Sequence, residues 1–149
     1  MTVQTTWGSI LLTIESDVLT RCSLPYLKAI PPKPFKANVS NVWKNESNFF
    51  QLLESNFVAA QIENLKGTVF QKLVWNELKK IPRGQTRTYG EIARAIGRPK
   101  AVRAVGSACG ANPVPLFIPC HRVVAKTGLG GFGAGLPWKI LLLKTEGAL

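Results

Sequence analysis

The sequence predicts an α/β protein in two parts. Residues 1–64 are expected to form a small N-terminal α/β domain, a β-hairpin or sheet plus a helix, and residues 65–149 a mostly helical C-terminal domain containing a helix-turn-helix. Short β-prone runs lie near the start, and capping-box motifs follow residue 67. The net charge of +11 lies in the C-terminal part, because residues 1–65 carry equal numbers of basic and acidic side chains.

The N-terminal part begins with a predicted hairpin. The β-prone runs 10–14 and 18–22 flank Glu-Ser-Asp at 15–17, and the proline-rich stretch 25–34 predicts a loop. Ser47 is predicted to cap a helix. The apolar residues on one side of that helix are Phe49, Phe50, Leu53 and Phe57.

Two capping-box motifs predict helix starts in the C-terminal part. Thr68 with Gln71 is predicted to open a helix that keeps apolar spacing as far as Pro82. Thr88 with Glu91 is predicted to open a second, shorter helix that stops at Gly97.

A third helix is expected to begin at Pro99 and to run to about Gly110. Two short helices joined by a tight turn are typical of a helix-turn-helix, although an ordinary helical hairpin has the same pattern. A glycine-rich loop follows at residues 128–135, and the last helix is expected from near Pro137 to Gly147.

The third helix is predicted to present small side chains outward. They are Ala101, Ala104, Ser107 and Ala108. Arg103 rises among them, and a single arginine on a helix that approaches DNA closely can insert into the base stack. The competing interpretation is tight helix packing with Arg103 solvated.

The charge and the absence of long apolar runs narrow the function classes. A basic surface that coincides with a helix-turn-helix pattern favours nucleic acid as the partner, although solubility alone would also explain it. No apolar run approaches the ~20 residues of a membrane span, and the N-terminus lacks a signal peptide. Three cysteines without a CxxC pair fit a reducing compartment, so we expect a cytoplasmic protein, or a nuclear one in a eukaryote.

The candidate chemistry lies at Cys120, which precedes the only histidine, His121. A thiol reacts as the thiolate, and a nearby imidazole can produce one at neutral pH. A third group must orient the imidazole, and the acidic residues of this half are Glu77, Glu91 and Glu146. A buried, inert cysteine is the competing interpretation. Cys22 and Cys109 lack such neighbours and are predicted to be structural.

The run 112–124, Asn-Pro-Val-Pro-Leu-Phe-Ile-Pro-Cys-His-Arg-Val-Val, resembles one family closely. It is similar to the O6-alkylguanine-DNA alkyltransferases, also called methylated-DNA–protein-cysteine methyltransferases, and its Pro-Cys-His-Arg core is highly specific. The resemblance extends over roughly residues 65–147, including the segments 83–84, 88–89, 99–106 and 146–147. The N-terminal part is similar only in outline.

The resemblance implies DNA repair by direct reversal. A base flipped out of the duplex would lose its alkyl group to Cys120, which would keep it as a thioether, so the protein would be consumed. His121 would deprotonate Cys120 through a bound water, and Glu146 would orient His121. Asn112 would lie at the turn that positions the cysteine, and Tyr89 would donate a proton or hydrogen bond to the departing guanine.

The resemblance also implies a mode of DNA binding. Arg103 would fill the gap left by the flipped nucleotide, and the two-helix element would bind the minor groove. The DNA-contacting residues would be Arg103, Ala101, Ala104, Ser107 and Tyr89. The base and alkyl pocket would be lined by Pro115, Val123, Gly131, Phe132 and Gly133. The expected partner is double-stranded DNA containing O6-alkylguanine, bound by a monomer that needs no cofactor and no membrane.

The sequence departs from the family pattern at Phe132, where a tyrosine is usual, so we expect altered substrate preference rather than lost activity. Some members bind zinc in the N-terminal domain, but that domain here has Cys22 and no histidine, so no metal is expected. A non-repairing branch lacks the cysteine. The alternatives are a lesion-binding or regulatory helix-turn-helix protein with an inert Cys120, and, more weakly, a turnover cysteine hydrolase.

Overall fold

A computed structural model describes residues 1–39, 41–56 and 61–149. Its N-terminal part is a five-stranded antiparallel sheet with the order β3-β2-β1-β4-β5, followed by helix α1 (Glu46–Asn56). The strands are β1 (Thr2–Thr5), β2 (Gly8–Glu15), β3 (Val18–Ser23), β4 (Lys36–Val39) and β5 (Val42–Asn45). The mixed α/β class predicted from the sequence is therefore confirmed.

The predicted hairpin is β2–β3, in which Glu15 pairs with Val18. Ser16 and Asp17 between them both adopt positive φ, 48° and 64°, as a two-residue hairpin turn with the correct twist requires. The prediction missed β1 and the β4–β5 hairpin. Each of those strands spans only four residues, of which at least half are polar, so their strand conformation depends on pairing with neighbours more than on local propensity.

Helix α1 begins two residues earlier than predicted. The Asn45 side chain accepts a hydrogen bond from the backbone N–H of Asn48 (3.0 Å), so Asn45 caps the helix and Ser47 lies inside it. Phe49 and Phe50 are buried, as expected. Phe57 lies outside the described residues.

The C-terminal part is mostly helical. Its elements are α2 (Val69–Leu78), β6 (Arg87–Thr88), α3 (Tyr89–Ala95), α4 (Val102–Gly110), β7 (Val123–Val124) and α5 (Leu136–Thr145). Both capping boxes are present, because Thr68 with Gln71 and Thr88 with Glu91 exchange reciprocal side-chain and backbone hydrogen bonds.

Two helix bounds differ from the prediction. Helix α2 ends at Leu78 instead of continuing to Pro82, since the backbone bond from Ile81 to Leu78 tightens the chain into a turn. Helix α4 begins at Val102 rather than Pro99, because the Ala101 N–H bonds to the Arg98 carbonyl in a turn that precedes the helix.

The two parts share one hydrophobic core. The ring of Trp138 on α5 packs against Trp7, Phe35 and Phe50 at centroid distances of 5.8, 6.2 and 6.3 Å. Its indole N–H donates to the Pro25 carbonyl (2.6 Å). Because the core runs across residues 64 and 65, the division into domains 1–64 and 65–149 stays a prediction. Within the described residues, no helix is long and apolar enough to cross a membrane.

Candidate active site

The turn that carries the thiol is held by Asn112. Its side-chain oxygen accepts the Val114 N–H (3.0 Å), and its Nδ2 donates to the Ile118 carbonyl (2.8 Å), so one amide bridges both ends of the loop. Leu116 within this loop has a φ of 80°, a left-handed conformation that costs about 1–3 kcal/mol outside glycine. The hydrogen bonds of the Asn112 side chain offset such strain and hold the backbone that leads to Cys120 in place.

The same Asn112 Nδ2 lies 3.2 Å from the Cys120 Sγ and donates a hydrogen bond to it. Cys120 is buried, at the start of a short 3₁₀ turn, Cys120–Arg122. Burial raises the pKa of the Cys120 thiol, whereas the Asn112 hydrogen bond and the positive charge of Lys139 lower it. Asn112 therefore favours the thiolate over the thiol.

The imidazole of the next residue, His121, is paired with a carboxylate. Its Nε2 lies 2.8 Å from the Glu146 Oε1, and both side chains are almost fully buried. The other two acidic candidates are engaged elsewhere. Glu77 pairs with Lys80 and Arg87 (2.8 and 2.9 Å), while the Glu91 carboxylate completes a capping box. The fold thus brings Glu146, out of the three, to His121.

Arg122 is a member of this cluster that the sequence reasoning did not assign. Its guanidinium donates to both oxygens of Glu146 (2.9 and 2.8 Å) and to the Ile81 carbonyl (2.9 Å). Burial alone would raise the pKa of Glu146, but hydrogen bonds from His121 and Arg122 lower it to about 2. Glu146 is therefore a carboxylate at neutral pH, which favours the tautomer of His121 with its proton on Nε2.

Lys139 on α5 was also missed. Its side chain is fully buried, and its Nζ donates to the carbonyls of Val123 (2.6 Å) and Gly131 (2.9 Å). The sequence offered no signal for this, since a lysine in an amphipathic helix is usually on the solvent face.

Tyr89, at the first position of α3, contacts the glycine loop (residues 128–135). Its hydroxyl hydrogen-bonds with the Gly131 backbone, and burial raises the pKa of the phenol. A Cβ added to Gly130 would lie 2.8 Å from that hydroxyl, and Gly130 has a φ of 72°. A glycine is therefore needed there both for the backbone and for the close approach of the ring.

A cavity of about 700 Å³ opens onto the thiol, and we call it the Cys120 cavity. One wall comes from the β2–β3 hairpin and includes Thr13, Thr20, Arg21 and Cys22. The other wall contains the end of α4, the Asn112 turn, and Pro115, Phe132 and Gly133 from the predicted pocket. Val123 and Gly131, also predicted for the pocket, are not among the residues that line this cavity. The backbone carbonyls of both accept hydrogen bonds from Lys139.

Helices α3 and α4 pack on each other and are connected by residues 96–101. Along α4, Arg103, Ala104 and Ser107 are exposed, as expected, and Ala101 is half-buried. Ala108, expected to face outward, is buried instead, on the side of α4 that packs against α2, and its carbonyl accepts the indole N–H of Trp75 (2.8 Å). The exposed face of α4 is accordingly shorter than predicted.

Comparison with known proteins places the chain in a family. The DNA-binding domain of 6-O-methylguanine DNA methyltransferase, as a family model, matches residues 69–148. A probable methylated-DNA–protein-cysteine methyltransferase of Acanthamoeba polyphaga mimivirus is 45% identical over 134 residues, which cover 89% of this chain and 87% of that protein. The chain belongs to the methylated-DNA–protein-cysteine methyltransferase family.

Other relatives agree with this. A methylated-DNA–protein-cysteine methyltransferase of Methanosarcina acetivorans is 47% identical over 124 residues, 76% of this chain and 79% of that protein. The structure of Mycobacterium tuberculosis OGT in complex with DNA matches with a TM-score of 0.69 at 34% identity, covering 98% of this chain and 92% of that one. The likeness in fold therefore includes the N-terminal part, where the sequence resembled the family only in outline.

Membership in the methyltransferase family confirms the resemblance drawn from the Pro-Cys-His-Arg motif. The family-model match, residues 69–148, contains Cys120, His121 and Glu146, and also Arg122 and Lys139. Within the described residues, no group of three or more His, Cys, Asp or Glu side chains could hold a metal ion.

Proposed function

We propose that this protein repairs O6-alkylguanine in double-stranded DNA by transferring the alkyl group irreversibly to Cys120. The observation that carries the proposal is the Cys120 thiol, which faces a 700 Å³ cavity and is followed in the chain by a buried His121–Glu146 pair. A cavity of this size is within the range of small-molecule sites and can take a flipped base.

The proposed chemistry gives each of these groups one role. His121, oriented by Glu146, accepts the thiol proton of Cys120 through a water molecule. The sulfur then forms a bond to the alkyl carbon while the bond from that carbon to the guanine O6 breaks, and its electron pair goes to the guanine. Tyr89 donates a hydrogen bond or a proton to the leaving base. A thioether is not hydrolysed, so each protein molecule acts once.

DNA binding is proposed to use α3 and α4 as a helix-turn-helix in the minor groove. The exposed α4 face of Ala104 and Ser107 permits close approach, and Arg103 would replace the flipped nucleotide in the stack. The basic charge of residues 66–149 would supply phosphate contacts. We further propose that the protein acts as a monomer in the cytoplasm, or in the nucleus of a eukaryote.

A lesion-binding protein with an inert Cys120 is less favoured. Both curated relatives described above carry methyltransferase names. An inert cysteine would also leave the Asn112 hydrogen bond to its sulfur and the buried His121–Glu146 pair without a chemical use.

The test is intact-protein mass spectrometry after incubation with a duplex containing O6-methylguanine. We expect a gain of one methylene mass, mapped to the Cys120 peptide and limited to one per protein. Cys22→Ala and Cys109→Ala are matched controls that should still gain the methylene. No mass shift together with tight binding to the same duplex would point to the lesion-binding alternative, and turnover beyond one per protein would point to a hydrolase.

A further inference from the structure

The mechanism above gives no role to Lys139, a charged side chain that is buried beside the thiol. A fully buried lysine is unusual, because removing an ammonium from water disfavours its charged form. Desolvation accordingly lowers the pKa of Lys139, whereas the nearby thiols of Cys120 and Cys109 raise it. Such a cost indicates that the charge has a function at this position, or that its contacts do.

The contacts of Lys139 join the two segments that flank the thiol. The Val123 carbonyl belongs to β7, directly after the Cys120–Arg122 turn, and the Gly131 carbonyl belongs to the glycine loop. One ammonium therefore links the strand behind the nucleophile to the loop in front of it. The Gly131 backbone also hydrogen-bonds with the Tyr89 hydroxyl, so the same link reaches the proposed proton donor.

The charge of Lys139 also acts on the thiol. Around Cys120, the electrostatic neighbours include the thiols of Cys22 and Cys109 and the phenol of Tyr89, and none of these three can supply a positive charge. His121 is also adjacent.

The His121 imidazole is paired with Glu146, a carboxylate that Arg122 already neutralises. Lys139 is the cation whose charge lowers the pKa of Cys120 against the effect of burial.

We propose that Lys139 is a positioning residue for alkyl transfer: its ammonium links β7 to the glycine loop and supplies the positive charge that stabilises the Cys120 thiolate. The inference rests on the proposed function, because it concerns the same nucleophile. It differs from a purely structural tie in one respect. A structural tie can be replaced by any group that preserves the fold, whereas thiolate stabilisation requires the charge.

The variants separate the two roles. Lys139→Met keeps the length of the side chain and removes the charge and the donors, and Lys139→Arg keeps the charge. Lys144→Met is the matched control, because Lys144 is on the same helix but exposed. Thermal unfolding followed by circular dichroism and binding to undamaged duplex establish that each variant is folded.

The measurement is the rate at which iodoacetamide alkylates Cys120, and in parallel the single-turnover rate on an O6-methylguanine duplex, each from pH 6 to pH 10. Loss of the cation raises the pKa of Cys120, so the thiolate fraction at neutral pH falls and is regained as the pH rises. For Lys139→Met we expect the midpoint of each rate–pH curve to rise by about one pH unit. Both rates at pH 7 should fall about tenfold and recover at high pH. Lys139→Arg and Lys144→Met should retain the wild-type midpoint.

Equal midpoints in Lys139→Met and wild type would overturn the inference, whatever the change in rate. The iodoacetamide reaction needs no DNA, so it tests the thiolate even if the wild type fails to repair the duplex, which would instead count against the proposed function. If Lys139→Met does not fold, wild-type protein with ¹³C-labelled lysine side chains provides the test. The Lys139 resonance, assigned with Lys139→Arg, should shift with the titration of Cys120, and this inflection should vanish once Cys120 is methylated. An inflection that persists after methylation would overturn the inference.

Discussion

Cys22 and Cys120 lie on opposite walls of the same cavity, and both are buried free thiols. Cys22 is on β3 in the neutral N-terminal part, where burial raises the pKa of its thiol to about 12. Cys120 is in the basic C-terminal part, where Asn112 and Lys139 oppose the effect of burial. Burial alone makes a cysteine inert, so reactivity depends on the groups that the fold brings to the sulfur.

The same contrast extends to the two parts of the chain. The β2–β3 hairpin supplies one wall of the cavity, and other residues of the N-terminal part supply aromatic packing against Trp138. The C-terminal part supplies the nucleophile, the His121–Glu146 pair and the basic surface. Under the proposed mechanism, the N-terminal part would support the site as one wall of the cavity, and the C-terminal part would perform the chemistry.

The largest expected effect comes from removing each of the two thiols in turn, which tests the difference between them. Cys120→Ala should abolish transfer from an O6-methylguanine duplex, because the acceptor atom is gone, while duplex binding measured by fluorescence anisotropy stays intact. Cys22→Ala, the matched control on the other wall, should transfer at the wild-type rate. Transfer retained by Cys120→Ala would refute the mechanism.

Removal of the proposed base should have the next largest effect. His121→Ala should slow alkylation near pH 7 by about 10²–10⁴-fold, the usual contribution of a general base. The loss should be partly rescued at high pH, where hydroxide deprotonates Cys120 without help. Single-turnover kinetics across pH measure this, and a defect that is equal at all pH values would mean that His121 does not act by deprotonating the thiol.

The support given by the N-terminal part can be tested at Trp138. Trp138→Ala should lower the free energy of unfolding by about 3–5 kcal/mol, because it leaves a cavity where Trp7, Phe35 and Phe50 converge. Urea denaturation measures the change. Trp138→Phe keeps most of the ring contacts and should lose less; if both variants matched wild type, the two parts would not depend on this contact.

The smallest expected effect concerns DNA. Arg103→Ala should weaken binding and slow repair several-fold on a matched duplex, and less on single-stranded substrate, because only the duplex has a stack for the arginine to enter. The rates on the two substrates form the measurement, and Arg94→Ala on α3 serves as an exposed-arginine control. Equal losses on both substrates would contradict the role as a wedge.

Local sequence signals correctly predicted those structural features whose interactions join residues close together in the chain. The capping boxes at Thr68 and Thr88 join residues three apart, and both form as expected. The β2–β3 hairpin likewise depends on its own turn at Ser16 and Asp17. The cap of α1 was assigned to Ser47 instead of Asn45, because adjacent polar residues offer equivalent caps and only the helix direction selects one.

The chemistry of the site was identified in advance from the Cys120–His121 adjacency and the family motif that contains it. The residues alone left three glutamates as partners for the histidine, and the motif favoured Glu146. That choice, and every other role assigned to a site residue, stays a prediction that the experiments above test. What the structure adds is contact, 2.8 Å between Glu146 and His121.

The sequence by itself determined the α/β class, the starts of α2 and α3, and the family, and it predicts Cys120 as the nucleophile. The tertiary structure decided which side chains share the site. Arg122 reaches Glu146 across 24 residues, and Lys139 reaches Val123 across 16, with its charge buried against the usual preference of lysine. No periodicity encodes such contacts. They exist because the folded chain brings carbonyls and a carboxylate to these cations, which repay part of the desolvation that burial imposes.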